Sequence, residues 1–224
     1  MVSVIINTVN EKPEILKRAV DSYLNQGAQV IISTIENDVS LNMKGVDFAV
    51  MSKEEHPGKS PQGSFMQLNN ALPLIRGEWF CFASGNDYAA NWKLSSELKR
   101  CKETDSLVCY SAFFTVDGRK KRVKRFHEYD FNKHLKGNFV SDCALIHISL
   151  VKKYLPFKIE LKNYAYWDLW LRIYKGEGNV FCYNNAPTWF YIQNANDMHN
   201  IRKRSPQLIK EAEKDKRTML NLHI

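Results

Sequence analysis

The 224-residue chain has no apolar run of the roughly 20 residues that a membrane span needs. Its opening, MVSVIINTVNE, lacks the basic n-region and small-residue cleavage site of a secretory signal and reads as a first strand. There is no CxxC pair. The five cysteines (Cys81, Cys101, Cys109, Cys143, Cys182) are odd in number and widely spaced, which argues against a disulfide frame or zinc site and for reduced, buried thiols in a cytoplasm. Neither GxGxxG nor GxxxxGK(S/T) occurs, so dinucleotide-dehydrogenase and P-loop readings lose their main support. There is no internal repeat, low-complexity tract or linker to divide the chain, and one domain over 1–224 is expected. What remains is 44% hydrophobic and 25% charged, enough to bury a core. Lysine and arginine number 32 against 24 acidic residues, a net charge of +8 that suits anionic partners: nucleotide phosphates, nucleic acid or a membrane surface.

Apolar runs at Val2–Ile6 and Val30–Ile35, rich in β-branched residues, and at Glu78–Ala83, rich in aromatic ones, predict core strands, and Asp47–Met51 predicts another. Helical spacing places Ile15, Leu16, Ala19, Val20, Tyr23 and Leu24 on one face, and further helices are expected over Met66–Ile75, Asn91–Cys101 and Tyr166–Tyr174. Pro57, Gly58, Pro61 and Gly63 predict a loop over Lys53–Ser64. Strand and helix in alternation give the α/β class, with a mostly parallel sheet covered on both faces. The second half is less regular. Leu107–Val116, Asp117-Gly118 and Arg119–Arg125 read as a hairpin, Val140–Ile148 as an apolar run, Val180–Tyr183 and Thr188–Ile192 as strands, and the tail from Ser205 as a helix.

In a parallel sheet, ligands bind beyond the carboxyl ends of the strands. Three polar clusters follow the expected core strands: Asn7-Thr8-Val9-Asn10-Glu11, Glu36-Asn37-Asp38 and Ser84-Gly85-Asn86-Asp87. On one rim they would offer amides, hydroxyls and carboxylates to a base, a ribose or a hard divalent cation.

These residues carry a resemblance. Val2–Asn10 is similar to the opening VSVIIPTYN of the family 2 glycosyltransferases, and Asp21–Gln26 resembles the S-x-L-x-Q helix end that follows it. Asn69–Phe80 is similar to N-x-G-x-x-x-A-x-G-E-y-i, Phe82–Leu94 occupies the place of F-L-D-x-D-D-x-x-x-P-x-k-L, and Asp168–Arg172 is similar to the end of E-D-y-D-L-W-L-R. The matches run in order from about residue 2 to residue 192. They imply a GT-A fold, with a nucleotide-sugar half over about 1–105 and an acceptor half with a C-terminal helix over about 106–224. Three departures stand out: Asn7 replaces proline, Ser84-Gly85-Asn86 replaces the metal-binding DxD so that only Asp87 keeps a carboxylate, and Ala165 and Tyr166 occupy the places of the catalytic carboxylate pair.

The resemblance implies inverting transfer of a sugar from a nucleotide donor, UDP by preference, to an acceptor hydroxyl. Asn7, Thr8, Asn10, Glu36, Asp38, Asn86 and Asp87 are the expected donor contacts. A divalent cation, Mn²⁺ or Mg²⁺, is expected on Asp87, Asn86 and His199. Asp168 is the expected base, being the carboxylate nearest the missing pair; capping its helix or pairing with Arg172 is the structural alternative. Trp167 and Trp170 are expected to face the acceptor, with at least one of them in the core. A saccharide is the expected acceptor. DNA with hydroxymethylated bases is the alternative, suggested by the net charge and by Arg119–Arg125, where six of seven residues are basic. A GT-A domain that only binds a nucleotide or glycan is a third reading.

Overall fold

The computed structural model describes residues 1–38, 42–58, 60–193 and 206–223. Val2–Asn7 (β1), Gln29–Ile35 (β2), Asp47–Met51 (β3) and Trp79–Ser84 (β4) are parallel and adjacent in the order β4-β1-β2-β3. Every residue of β2 is buried, as expected of a strand covered on both faces. Side chains alternate across the sheet. Val4, Ile6, Ile32 and Cys81 pack beneath Pro13–Leu24 (α1) and Lys93–Thr104 (α3). Ile5, Ile31, Phe80 and Phe82 pack against Pro61–Ala71 (α2) and Ala165–Glu177 (α6).

Three more strands extend the sheet on the β4 side: Val108–Ser111 (β6), Leu145–His147 (β9) and Phe181–Asn184 (β10), giving the order β10-β6-β9-β4-β1-β2-β3 with β9 antiparallel. A second sheet orders Tyr88–Ala89 (β5), Trp189–Ile192 (β11), Phe113–Asp117 (β7) and Lys120–Lys124 (β8) as β5-β11-β7-β8. The remaining helices are Phe131–Lys136 (α4), Ile148–Tyr154 (α5) and Pro206–Asn221 (α7).

Two expectations are corrected. The segment read as one hairpin arm, Leu107–Val116, is two strands in different sheets. The chain crosses over at Ala112, whose N–H donates to Asn184 and whose carbonyl accepts from Thr188, each at 3.0 Å. The turn itself is as expected: Asp117 pairs with Lys120, and Gly118 takes the left-handed φ of 56° that the tight reversal needs. Part of the segment read as a loop is helix, because α2 starts at Pro61. The Ser60 hydroxyl accepts the Gly63 N–H at 3.0 Å, and proline at the first position gives up a donor that a helix start leaves unused.

Candidate functional site

The chain leaves β1, adds β2 and β3 on one side, then returns to place β4 on the other. The carboxyl ends of β1 and β4 therefore form the switch point at which open α/β sheets bind ligands. Gly85 lets the two ends close up: a Cβ there would lie 2.7 Å from the Thr8 hydroxyl. Two adjoining cavities open at this place and share Asn7, Ser64, Ser84 and Asn86 as a common wall.

The smaller cavity, about 370 Å³, is polar, with Thr8, Glu11, His56, Ser60, Gln67 and Asn163 on its walls. Three atoms here are buried and have no hydrogen-bond partner among the described residues: Asn7 Oδ1, Thr8 Oγ1 and His56 Nε2. Buried polar atoms are rarely left unpaired unless a ligand or water completes them. Burial also lowers the His56 pKa below the usual histidine value.

The larger cavity, about 580 Å³, has aromatic walls. Phe65, Phe82 and Tyr166 form one side, and Phe113, Trp189 and Tyr191 the other. Tyr166 packs its ring against Phe65 at 5.2 Å, Phe157 at 4.9 Å and Phe82 at 5.7 Å. Two carboxylates reach this cavity, Asp87 and Asp142. Asp87 is nearly buried and its Oδ1 accepts the Ile192 N–H at 2.8 Å, which fastens the second sheet to the end of β4. Asp142 makes no hydrogen bond or ion pair among the described residues. Its side chain is exposed to the solvent of the open cavity, and the protein packed around the cavity pushes its carboxyl up to about 7.

The expected donor residues divide. Asn7, Thr8, Asn86 and Asp87 are brought together around the two cavities. Asn10, Glu36 and Asp38 line neither. The Asp38 carboxylate accepts the Asn10 N–H at 2.5 Å, holding the turn after β1 with Asn10 at a left-handed φ of 52°, while Glu36 is exposed. Asn86 Oδ1 accepts from the Ser84 hydroxyl at 2.6 Å. The expected ligand His199 lies outside the described residues.

On α6 the expected chemistry gives way to structure. Asp168 is fully buried and lines neither cavity. Arg172 Nε donates to it at 2.7 Å, His223 Nε2 lies at 2.9 Å and Lys158 Nζ at 3.4 Å. Burial would raise its pKa, but the His223 bond and the charges of Arg172 and Lys158 outweigh it and hold the carboxyl below the usual range. Asp168 thus anchors the chain end following α7 to α6, and its oxygens face cations rather than a substrate. Trp167 and Trp170 are core: Trp170 is completely buried, and the Trp167 indole donates to the His134 carbonyl at 2.8 Å. Along α6 the cavity side belongs to Tyr166, two residues from Asp168 and so about 200° away around the helix.

Sequence reasoning missed Asp142, Tyr166 and the aromatic wall. For Asp142 a signal was present: Ser141-Asp142 interrupts the apolar run from Val140 to Ile148, and a carboxylate inside such a run demands a reason.

No protein-family model matches the chain, and no curated protein matches its sequence. Solved structures do. The chain resembles S. aureus TarS residues 1–349 in complex with UDP, with a TM-score of 0.69 and 17% identity over 97% of this chain and 64% of that one. It resembles the same protein in complex with UDP-GlcNAc with a TM-score of 0.67 and 18% identity, over 88% of this chain and 59% of that one. The fold is GT-A-like. The chain spans less than two thirds of the length of these TarS chains, and at such identity the likeness speaks to architecture alone. No described helix is long and apolar enough to cross a membrane.

Proposed function

We propose that this chain is a glycosyltransferase that moves a sugar from a UDP-sugar to an acceptor hydroxyl, inverting the anomeric carbon. The observation that carries this reading is the pair of joined cavities at the β1–β4 switch point, one polar with three unpaired buried polar atoms and one walled by aromatic rings. A polar cleft suits a nucleotide diphosphate, and aromatic faces suit sugar rings. That TarS of the same fold is seen with UDP and UDP-GlcNAc supports the choice of donor.

Asn7, Thr8, Asn86 and Asp87 offer only oxygen ligands on the donor side, which fits a hard divalent ion such as Mg²⁺ or Mn²⁺ but supplies a single negative charge. Such an ion would neutralise charge on the departing diphosphate. The chain's own residues fix the donor at the shared wall and keep the reacting carbon inside a largely apolar cavity. The test is release of UDP from UDP-glucose and UDP-GlcNAc, with product anomer read by NMR. An absence of turnover and of UDP binding would dismiss this reading.

A saccharide acceptor is favoured by the aromatic walls. A DNA acceptor is favoured by the register of the second sheet. Residues paired across a sheet share a face. Phe113 pairs with Lys124, Thr115 with Arg122 and Asp117 with Lys120, while Tyr191 pairs with Thr115. Lys120, Arg122 and Lys124 are therefore on the same face as Phe113 and Tyr191, which line the larger cavity. The basic hairpin thus continues the sheet face that carries these two lining residues, although it is distant in sequence from the donor clusters. Cations beside partly buried rings suit phosphates beside bases.

A further inference from the structure

An inverting transfer needs a base next to the acceptor hydroxyl, and the α6 position that would supply it carries the phenol of Tyr166. Three carboxylates reach the joined cavities: Glu11, Asp87 and Asp142. Glu11 is confined to the polar cavity, away from the aromatic one. Asp87 is on the donor side and its Oδ1 is occupied by the Ile192 N–H. Asp142 lines the aromatic cavity from a different element than the donor residues, with no hydrogen-bond or ion-pair partner among the described residues.

Resting on the glycosyltransferase reading above, we propose that Asp142, from the segment before β9, is the general base of this chain and takes over the role that α6 does not provide. The acceptor oxygen attacks the anomeric carbon as the bond from that carbon to the diphosphate oxygen breaks. The electron pair of that bond leaves with UDP, and the hydroxyl proton passes to the Asp142 carboxylate, which later releases it to solvent. Each atom and charge is accounted for without another reactant.

The surroundings of Asp142 fit this task. The titratable groups that feel its charge are Tyr166 on α6 and Cys143 beside it in the chain, and both are held neutral well above pH 7, chiefly by burial and in part by Asp142 itself. No cation among the described residues pins the carboxylate, and it stands on the cavity lining open to solvent, where an acceptor hydroxyl would enter. The backbone is fixed one residue away: Lys93 Nζ donates to the Cys143 carbonyl at 2.9 Å from a fully buried position. A free carboxylate on a fixed backbone is the arrangement a base requires.

The experiment compares wild type, Asp142→Asn and Asp142→Glu, measuring UDP affinity by calorimetry and turnover of UDP-glucose and UDP-GlcNAc against pH, with an oligosaccharide mixture and a hydroxymethylated DNA oligonucleotide as acceptors. In Asp142→Asn, turnover is expected to fall by about 10²–10⁴-fold with UDP affinity unchanged, and the acid limb of the wild-type profile, centred at about 7, to vanish. Asp142→Glu should restore part of the rate together with an acid limb. Turnover in Asp142→Asn within threefold of wild type, or an acid limb that survives in it, overturns the proposal while leaving the transferase reading standing. Failure of the wild type to bind UDP and to turn over either donor overturns both.

Discussion

The ammonium of Lys93 donates to the carbonyl of Cys143 at 2.9 Å and to both carboxylate oxygens of Glu97 at 2.8 and 2.9 Å, with Lys93 and Glu97 wholly out of solvent. Glu97 Oε1 also accepts from the Ser111 hydroxyl at 2.8 Å and from Thr188 Oγ1 at 2.7 Å. One buried ion pair on α3 thereby joins the end of β6, the approach to β11 and the segment that carries Asp142. Burial alone would lower the Lys93 pKa, but Glu97 reverses that and keeps the ammonium charged.

Removing one partner strands the other. Lys93→Met should cost about 3–5 kcal/mol of unfolding free energy, because Glu97 is left buried and uncompensated. The double change Lys93→Met with Glu97→Met should cost much less. Urea unfolding of the single and double variants checks this, and equal losses in both would mean that the stranded Glu97 charge is not the source of the cost.

Asp142 also carries a stability prediction. Its folded pKa of about 7 lies above the unfolded value, so the folded state holds its proton more tightly. The stability it contributes is fully present below about pH 4 and is lost as pH rises to about 7. Asp142→Asn should therefore have a higher melting temperature than wild type at pH 8, and the gap should close toward pH 4. Melting curves across that range decide it. A variant less stable than wild type at pH 8 would show that the enclosure does not strain the carboxylate.

His134 works in the opposite direction. It is fully buried among the rings of Tyr129, Phe139 and Trp167, and neither ring nitrogen has a partner among the described residues. Desolvation, with a smaller effect from His127, lowers its pKa to about 3. The contribution of the neutral ring is present above about 6.5 and is lost as pH falls toward 3, where the unfolded chain is already protonated. Replacing His134 by Phe should flatten the acid side of the stability profile between those limits. An unchanged slope in the variant would contradict the burial argument.

The hairpin gives a prediction about the acceptor. If DNA lies along Lys120, Arg122 and Lys124, its binding releases counterions and weakens steeply between about 50 and 200 mM salt. Changing these three residues to Glu should abolish DNA affinity while leaving UDP affinity within twofold. Transfer to a neutral oligosaccharide should be nearly indifferent to salt. Incorporation into oligosaccharide but not into hydroxymethylated DNA at any salt would rule out the nucleic-acid acceptor.

The first half was legible in the sequence because parallel strands bury both faces and so appear as nearly continuous apolar runs, interrupted only by Ser3, Ser33 and Thr34: Val2–Ile6, Val30–Ile35 and Trp79–Ala83 are adjacent, and Asn7 and Ser84 close them at one rim. The start of α2 was also readable, in Ser60 followed by Pro61, but the nearby Pro and Gly residues masked it. The second half was harder, since a crossing such as that at Ala112 leaves no periodicity. The role of Asp168 depended on which way α6 turns, and the cluster joins it to Arg172, Lys158 and His223, the last of them 55 positions away. Long-range contacts of that kind leave no trace in local pattern.

The most direct test of the account is a calorimetric titration of UDP into the wild type and into Ser84→Trp, whose added ring would occupy the wall shared by the two cavities. Saturable binding to the wild type is expected, with at least a tenfold loss in the variant, equivalent to about 1.4 kcal/mol, and unchanged thermal stability. Equal affinity in the two proteins, or no binding to the wild type, would contradict a nucleotide-sugar site at the ends of β1 and β4.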